Sequence, residues 1–236
     1  MVPQKARGLS SPPNEMGGQE CPPSNQFLDP FAPIEQHQHR LPHWQQGSVY
    51  YFVTWRLVDS LPREKLDRWN EERAVWCRLH PQPWDAETES KYHTKFSTAV
   101  DNWLDEGSGS CVLRDPDLAC VVSDALLHFN GKRYSMDAFV VMPNHVHVLF
   151  RLLAPFQLDS VVQSWKGFSA REINRRVAKQ GRLWQPDYWD RLIRNEGHWL
   201  KCREYIQENP IKARLSRNEY ALFFRERERG LSSPQE

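Results

Sequence analysis

Two hydrophobic periods alternate along this chain, one of two residues and one near 3.6, and they divide it into strands and helices. Residues 48–57 (SVYYFVTWRL) are rich in aromatic and β-branched side chains and predict a strand. Residues 133–142, 145–153 and a short run at 189–193 predict three more. Pro143-Asn144 is a turn signal, so the second and third of these strands form a tight hairpin. Residues 63–79 repeat apolar positions at Leu66, Trp69, Ala74, Val75, Trp76 and Leu79, which predicts an amphipathic helix that starts just after Pro62. Another helix is expected at 90–104. Residues 117–129 place Leu118, Val121, Val122, Ala125, Leu126 and Phe129 on one helical face, with Asn130-Gly131-Lys132 as the closing turn. A long helix follows at 157–179, for which Asp159 or Ser160 is the expected cap. The last helix, 197–208, is expected to close at Asn209-Pro210, because a residue before proline is pushed out of the helical region.

The order is strand, helical pair, helix, hairpin, helix, strand, helix. With the helical pair set aside as an insertion, this is βαββαβ plus a C-terminal helix. The expected fold is therefore α+β and ferredoxin-like: an antiparallel sheet with helices on one face. The expected organisation is a disordered or draped tail over 1–45, a domain over 46–215 with a helical insertion at about 58–115, and a C-terminal tail over 216–236. Gly, Pro, Ser, Gln and Asn dominate the first 25 residues, which lack apolar periodicity. His37, His39 and His43 sit among Gln and Pro in an expected loop, where solvation is the simpler reading.

Composition narrows the picture. The 236 residues carry a formal charge of +1, so the chain as a whole has no electrostatic signature. Its halves differ: residues 57–117 hold 13 Asp+Glu against 8 Lys+Arg, and residues 151–236 hold 17 Lys+Arg against 11 Asp+Glu. A basic half beside an acidic one suggests an anionic partner for the basic half. Cys21, Cys77, Cys111, Cys120 and Cys202 include no CxxC pair, which argues against a zinc ribbon or a disulfide framework. No apolar run approaches the roughly 20 residues that span a bilayer, and the N-terminus has no signal-peptide core. A cytoplasmic location is the default.

The most apolar stretch, 139–150, contains His145 and His147. On a strand both imidazoles project from one face while Val146 and Val148 point to the other. Such a pair can share one divalent metal, or it can be two hydrogen-bonded histidines on a strand. The 157–179 helix offers Lys166, Arg171, Arg175 and Arg176, and the C-terminal part offers Arg191, Arg194, Lys212 and Arg214, as groups that either track phosphates or line solvated faces. Trp165, Trp184, Tyr188 and Trp189 either stack on unpaired bases or pack in the core. Residues 105–110 have no phosphate-loop spacing, and no HExxH motif supports a small-molecule metallohydrolase.

Four ordered blocks, MPNHVHVLF, SWKGFSAREIN, LWQPDYWDRLIR and YIQENPIKARL, resemble the REP-associated tyrosine transposases, which are single-tyrosine, His-hydrophobe-His transposases of bacterial insertion sequences. The resemblance spans roughly residues 48–215. It implies a metal-dependent endonuclease and strand transferase for single-stranded, hairpin-forming repeat DNA, with a covalent phosphotyrosine intermediate. His145 and His147 match the family's metal ligands for Mg²⁺ or Mn²⁺, Tyr205 matches its nucleophile, and Asn209, one helical turn on, matches a third metal ligand. Pro210 threatens that last assignment if it ends the helix. Asp187 or Asp190 is a candidate base beside Tyr205. The resemblance implies a cytoplasmic, nucleoid-associated protein acting as a monomer or dimer. A hairpin-DNA-binding module that has lost nuclease activity is the alternative.

Overall fold

The computed structural model describes residues 26–38, 42–81 and 84–226. The expected tail over 1–25 and the histidine at 39 lie outside them. Two short strands, β1 (Glu35–Gln38) and β2 (Pro42–Gln45), form a small antiparallel hairpin where a loop is expected. The chain then enters β3 (Tyr50–Arg56) and leaves it for α1 (Arg63–Leu79). The second half of the insertion is α2 (Ala86–Tyr92), a π-helical turn (His93–Ser97) and α3 (Thr98–Asp105), rather than one uninterrupted helix. Next come α4 (Pro116–His128), β4 (Tyr134–Val141), β5 (His145–Leu152) and α5 (Leu158–Arg176). The chain closes with β6 (Trp189–Leu192), α6 (Glu196–Lys212) and β7 (Ala221–Phe224).

The main sheet is antiparallel throughout, in the order β6-β3-β5-β4-β7. Its first four strands have the sequence of neighbours that a split βαβ pattern requires, so the α+β expectation holds and the order is consistent with the ferredoxin-like one. The strand β7 comes from within the stretch expected to be a C-terminal tail. It pairs with β4 at the edge, Phe223 stacked on Phe139.

Because strand side chains alternate, the sheet has two distinct faces. On one, Tyr51, Val53, Trp55, Phe139, Val146, Val148 and Phe150 pack against α4 and α5. Three of the aromatic side chains here have satisfied polar tips. Trp165 Nε1–H donates to Tyr134 Oη, Tyr134 Oη–H donates to Leu126 O, and Trp184 Nε1–H donates to Ser169 Oγ. Trp165, Trp184 and Tyr188 are thus core residues and not base-stacking platforms. On the other face, Tyr50, Phe52, Ala138, Val140 and Leu149 are covered by Trp199, Cys202 and Ile206 of α6.

The structure moves two expected helix boundaries. Gln157, not Asp159 or Ser160, occupies the N-cap of α5, and it makes no side-chain capping bond. Pro210 does not stop α6, which runs on to Lys212 with Pro210 buried inside it. Proline removes the N–H that would bond to the carbonyl four residues back and crowds that carbonyl with its ring, but it leaves the later N–H groups free to continue the helix. Beyond it, Ala213 N–H still donates to Asn209 O at 3.0 Å. Asn209 therefore stays in helical register with Tyr205.

Candidate active site

The period-two pattern of β5 puts His145 and His147 on the α6 side of the sheet, and both are fully buried. Their rings lie edge to face with centroids 4.7 Å apart. Antiparallel pairing sets Thr54 opposite His147 and Arg56 opposite His145. Thr54 Oγ1 lies 2.7 Å from His147 Nδ1, and Phe52 stacks on the His147 ring with centroids 5.6 Å apart. His145 Nδ1 lies 2.7 Å from Asn144 Oδ1.

From the helix side, α6 brings Tyr205 and Asn209, one turn apart, over these histidines. The Tyr205 ring stands edge-on to the His147 ring with centroids 5.0 Å apart, and edge-on to Phe52 at 5.8 Å. Asn209 is fully buried beside His145. An ion pair pins the helix: Arg203 Nη1 sits 2.6 Å from the buried carboxylate of Asp137, the extra residue in the bulge between β4 and β5. Asn195 caps the helix start by accepting from His198 N–H at 2.9 Å.

Burial lowers the His145 pKa to about 3, and the Asn209 side chain acts in the opposite direction. Burial also holds His147 well below its ordinary value, and the positive charges of a protonated His145 and of Arg191 add to this. Both imidazoles are therefore neutral at pH 7 and can offer a lone pair. His145 Nε2, His147 Nε2 and both amide atoms of Asn209 are buried with no hydrogen-bond partner among the described residues. Buried polar atoms are normally satisfied. Two imidazole nitrogens and a carboxamide left in this condition fit a divalent cation. No group of three or more His, Cys, Asp or Glu that could hold a metal occurs among the described residues, so the donor set stops at two histidines and an amide.

The basic residues expected from sequence divide sharply. Arg191 lies opposite Phe52 in β6, with its guanidinium 5.5 Å from the Phe52 ring centre, so it borders the site. Lys212 reaches within 5.8 Å of the Tyr205 ring centre and pairs with Glu208. Arg194 and Arg214 are exposed near the two ends of α6. By contrast, Arg171, Arg175 and Arg176 belong to α5, across the sheet from the histidines, and Arg175 and Arg176 both bind Glu172. Lys166 is not on a solvated face at all. It is buried, and its ammonium donates to the carbonyls of Pro186 and Asp187. The two aspartates offered as a base are elsewhere as well. Asp190 is in register with Val53 and so faces α5, and Asp187 lies beside Lys166 and Tyr188.

Three residues beside the site are not among those the sequence offers for it: Thr54, Arg56 and Asn144. Arg56 is buried, donates to Leu57 O and Ser60 Oγ, and lies 5.8 Å from the Trp189 ring centre. Only the alternation of Phe52, Thr54 and Arg56 on one strand face could have marked the first two. The sequence marks Asn144 only as a turn residue, because the carbonyls its amide bonds, Leu104 O and Ser108 O, come from far away in the chain.

The site is defined by a His-x-His strand faced by a helical tyrosine. Residues 126–209, which carry all four candidate residues, match the family model described as IS200-like transposase. A REP-associated tyrosine transposase of Escherichia coli is 30% identical over 102 residues, covering 42% of this chain and 59% of that protein. An uncharacterised protein of Haemophilus influenzae is 32% identical over 97 residues, covering 32% of this chain and 54% of that protein. The chain thus spans little more than half the length of these curated relatives. A solved structure of a REP-associated tyrosine transposase bound to a REP hairpin aligns with a TM-score of 0.34 and 15% identity, over 72% of this chain and 73% of that one. The resemblance read from the four sequence blocks is borne out by the family and by the named relative.

Proposed function

We propose that this chain is a metal-dependent single-stranded DNA endonuclease and strand transferase, a transposase that opens hairpin-forming repeat DNA through Tyr205. The observation that carries this reading is the Tyr205 ring standing 5.0 Å from the His147 ring, beside a buried set of unsatisfied nitrogen and amide atoms. His145, His147 and Asn209 would hold Mg²⁺ or Mn²⁺, which when bound supplies positive charge to neutralise phosphate oxygens. A phenol is a weak nucleophile at neutral pH, so Tyr205 needs a phosphate held in line. Arg191 and Lys212, beside the site, supply charge for a strand to lie against. The Tyr205 oxygen attacks phosphorus, an O–P bond forms as the bond to the 3′ oxygen breaks, and the phenolic proton is balanced by protonation of that 3′ oxygen. The phosphotyrosine keeps the bond energy, so the 3′-hydroxyl of another strand can reverse the step and join.

Hairpin repeat DNA as the substrate is suggested by the E. coli relative, whose name associates it with REP elements. Tyr205 faces His147 of its own chain, which favours a nucleophile acting within one protomer, whether the protein is a monomer or a dimer. No helix among the described residues is long and apolar enough to cross a membrane. A DNA substrate is the reason for proposing a cytoplasmic, nucleoid-associated protein. The alternative of a hairpin-binding module without nuclease activity draws on the sparse donor set, with no third His or carboxylate among the described residues.

Incubation with a labelled hairpin oligonucleotide and Mn²⁺ is expected to give a denaturant-stable protein–DNA adduct. Tyr205→Phe should reduce it to background, and His147→Ala should do the same while hairpin binding persists. An undiminished adduct in Tyr205→Phe would sink the nucleophile. Binding by the wild type with no adduct under any divalent metal would favour the module.

A further inference from the structure

The helical insertion is bonded to the turn that precedes His145 through the side chain of Asn144. Asn144 occupies the turn between β4 and β5, immediately before His145, and is buried. Its Nδ2 donates to two insertion carbonyls, Leu104 O at the end of α3 and Ser108 O in the loop beyond, each at 3.1 Å. With both amide hydrogens directed there, the end facing His145 has to be the oxygen. A carboxamide oxygen only accepts, so His145 Nδ1 must carry the proton, and its lone pair is left on Nε2. The amide thus selects the tautomer that a metal-binding Nε2 requires.

The backbone of the same turn is held by the two ends of the insertion. Leu57 N–H donates to Asn144 O at 2.8 Å and Leu113 N–H donates to Pro143 O at 3.1 Å. The base of the insertion is itself closed tightly. Ser110 N–H donates to Asp59 Oδ2 at 2.9 Å, and Gly109, at φ +88°, packs so closely that a Cβ would lie 2.4 Å from Asp59 O. Above that base the insertion has its own small core of Leu61, Trp69, Phe96, Val100 and Leu104, against which Trp189 packs.

We infer that Asn144 is a positioning residue that fixes His145 as the Nδ1–H tautomer, and that the insertion supports the metal half-site by holding Asn144. This rests on the reading of His145 and His147 as metal ligands. The insertion would then be a brace for the site, not an appendage. Outer partners that orient a metal-binding histidine change metal affinity by about 10–100-fold when removed.

Nitrogen-15 NMR of the histidine side chains in the metal-free protein reads the tautomer directly. The wild type is expected to show His145 protonated at Nδ1. Asn144→Ala should mix the tautomers and weaken Mn²⁺ binding, measured by calorimetry, about 10–100-fold. Asn144→Asp keeps an oxygen for the Nδ1–H but cannot donate to Leu104 and Ser108. It should keep the wild-type tautomer. An unchanged His145 spectrum in Asn144→Ala, or a mixed one in Asn144→Asp, overturns the assignment, and the second applies even if the alanine variant does not fold. A wild type that binds no Mn²⁺ overturns the metal reading and the insertion's role as its support, and the metal-free spectra still decide whether Asn144 sets the tautomer.

Discussion

A lysine ammonium withdrawn from water makes folding depend on pH, and Lys166 is such a group. It is 4% exposed, and donates to Pro186 O at 2.8 Å and Asp187 O at 3.2 Å. Burial lowers its pKa from 10.5 to about 8, against the opposing pull of Asp187 and Asp159. The charged form is the one penalised in the folded state. The penalty is complete below about pH 8 and is relieved as pH rises toward 10.5, because across that window the unfolded chain binds the proton and the folded chain releases it. Cys202, raised to about 11 by burial, acts in the opposite sense once pH passes 9, so the lysine is isolated only by difference. Relative to Lys166→Met, the wild type is expected to gain stability between pH 8 and 10, by up to roughly 3 kcal/mol. Denaturant unfolding of both proteins across that range checks this, and parallel curves would refute it. The same burial logic keeps the two site histidines neutral. At this scale the sequence exposes the chemistry but not its neighbours. His145, His147, Tyr205 and Asn209 are legible because they fall in ordered blocks. Thr54 and Arg56 are not, and Asn144 is legible only as a turn residue, because their roles come from strands and loops that meet only on folding.

At the scale of elements, the site depends on how α6 is fixed, since that helix carries both Tyr205 and Asn209. Three contacts do this: Trp199, Cys202 and Ile206 against the sheet, the Arg203–Asp137 pair at the bulge, and the Asn195 cap. Loss of a side-chain cap typically costs about 1 kcal/mol. Asn195→Ala is therefore expected to lower the unfolding free energy by about that amount with the fold unchanged, while Asn195→Asp, which also accepts from His198 N–H, should be nearly neutral. Equilibrium denaturation distinguishes these. Equal losses in both would mean that the cap bond is not what Asn195 contributes. Long elements with clear periods, such as β3, α1, α4 and the β4–β5 hairpin, are legible in the sequence to within a few residues. The misreadings have physical reasons. Pro210 reads as a stop, yet a proline one turn from a helix end forfeits a single bond and its ring can be buried. The four residues of β7 are too few to show a period, and their strand character comes from pairing with β4.

For the whole molecule, charge on a segment of sequence is not charge at a site. The basic C-terminal half is split by the sheet. Arg171, Arg175 and Arg176 ride on α5, behind the face that holds the histidines, and two of the three are already engaged by Glu172. Arg191 and Lys212 lie on the histidine side, and the net-acidic insertion is braced against the same end of the sheet through Asn144 and Trp189. A strand lying across the tyrosine would therefore meet few of the cations that the sequence places in this half. Each phosphate neutralised by a protein cation steepens the fall of affinity with salt, and removing one such cation should reduce the slope of log Kd against log salt by about 1. Arg191→Ala is expected to weaken binding to a hairpin oligonucleotide and to flatten its salt dependence by about that amount. Arg171→Ala should leave both nearly unchanged, because its helix faces away. Fluorescence anisotropy titrations over a range of NaCl concentrations measure the two slopes side by side. If Arg171→Ala flattens the slope and Arg191→Ala does not, the DNA runs over α5, and the path proposed beside Tyr205 is wrong.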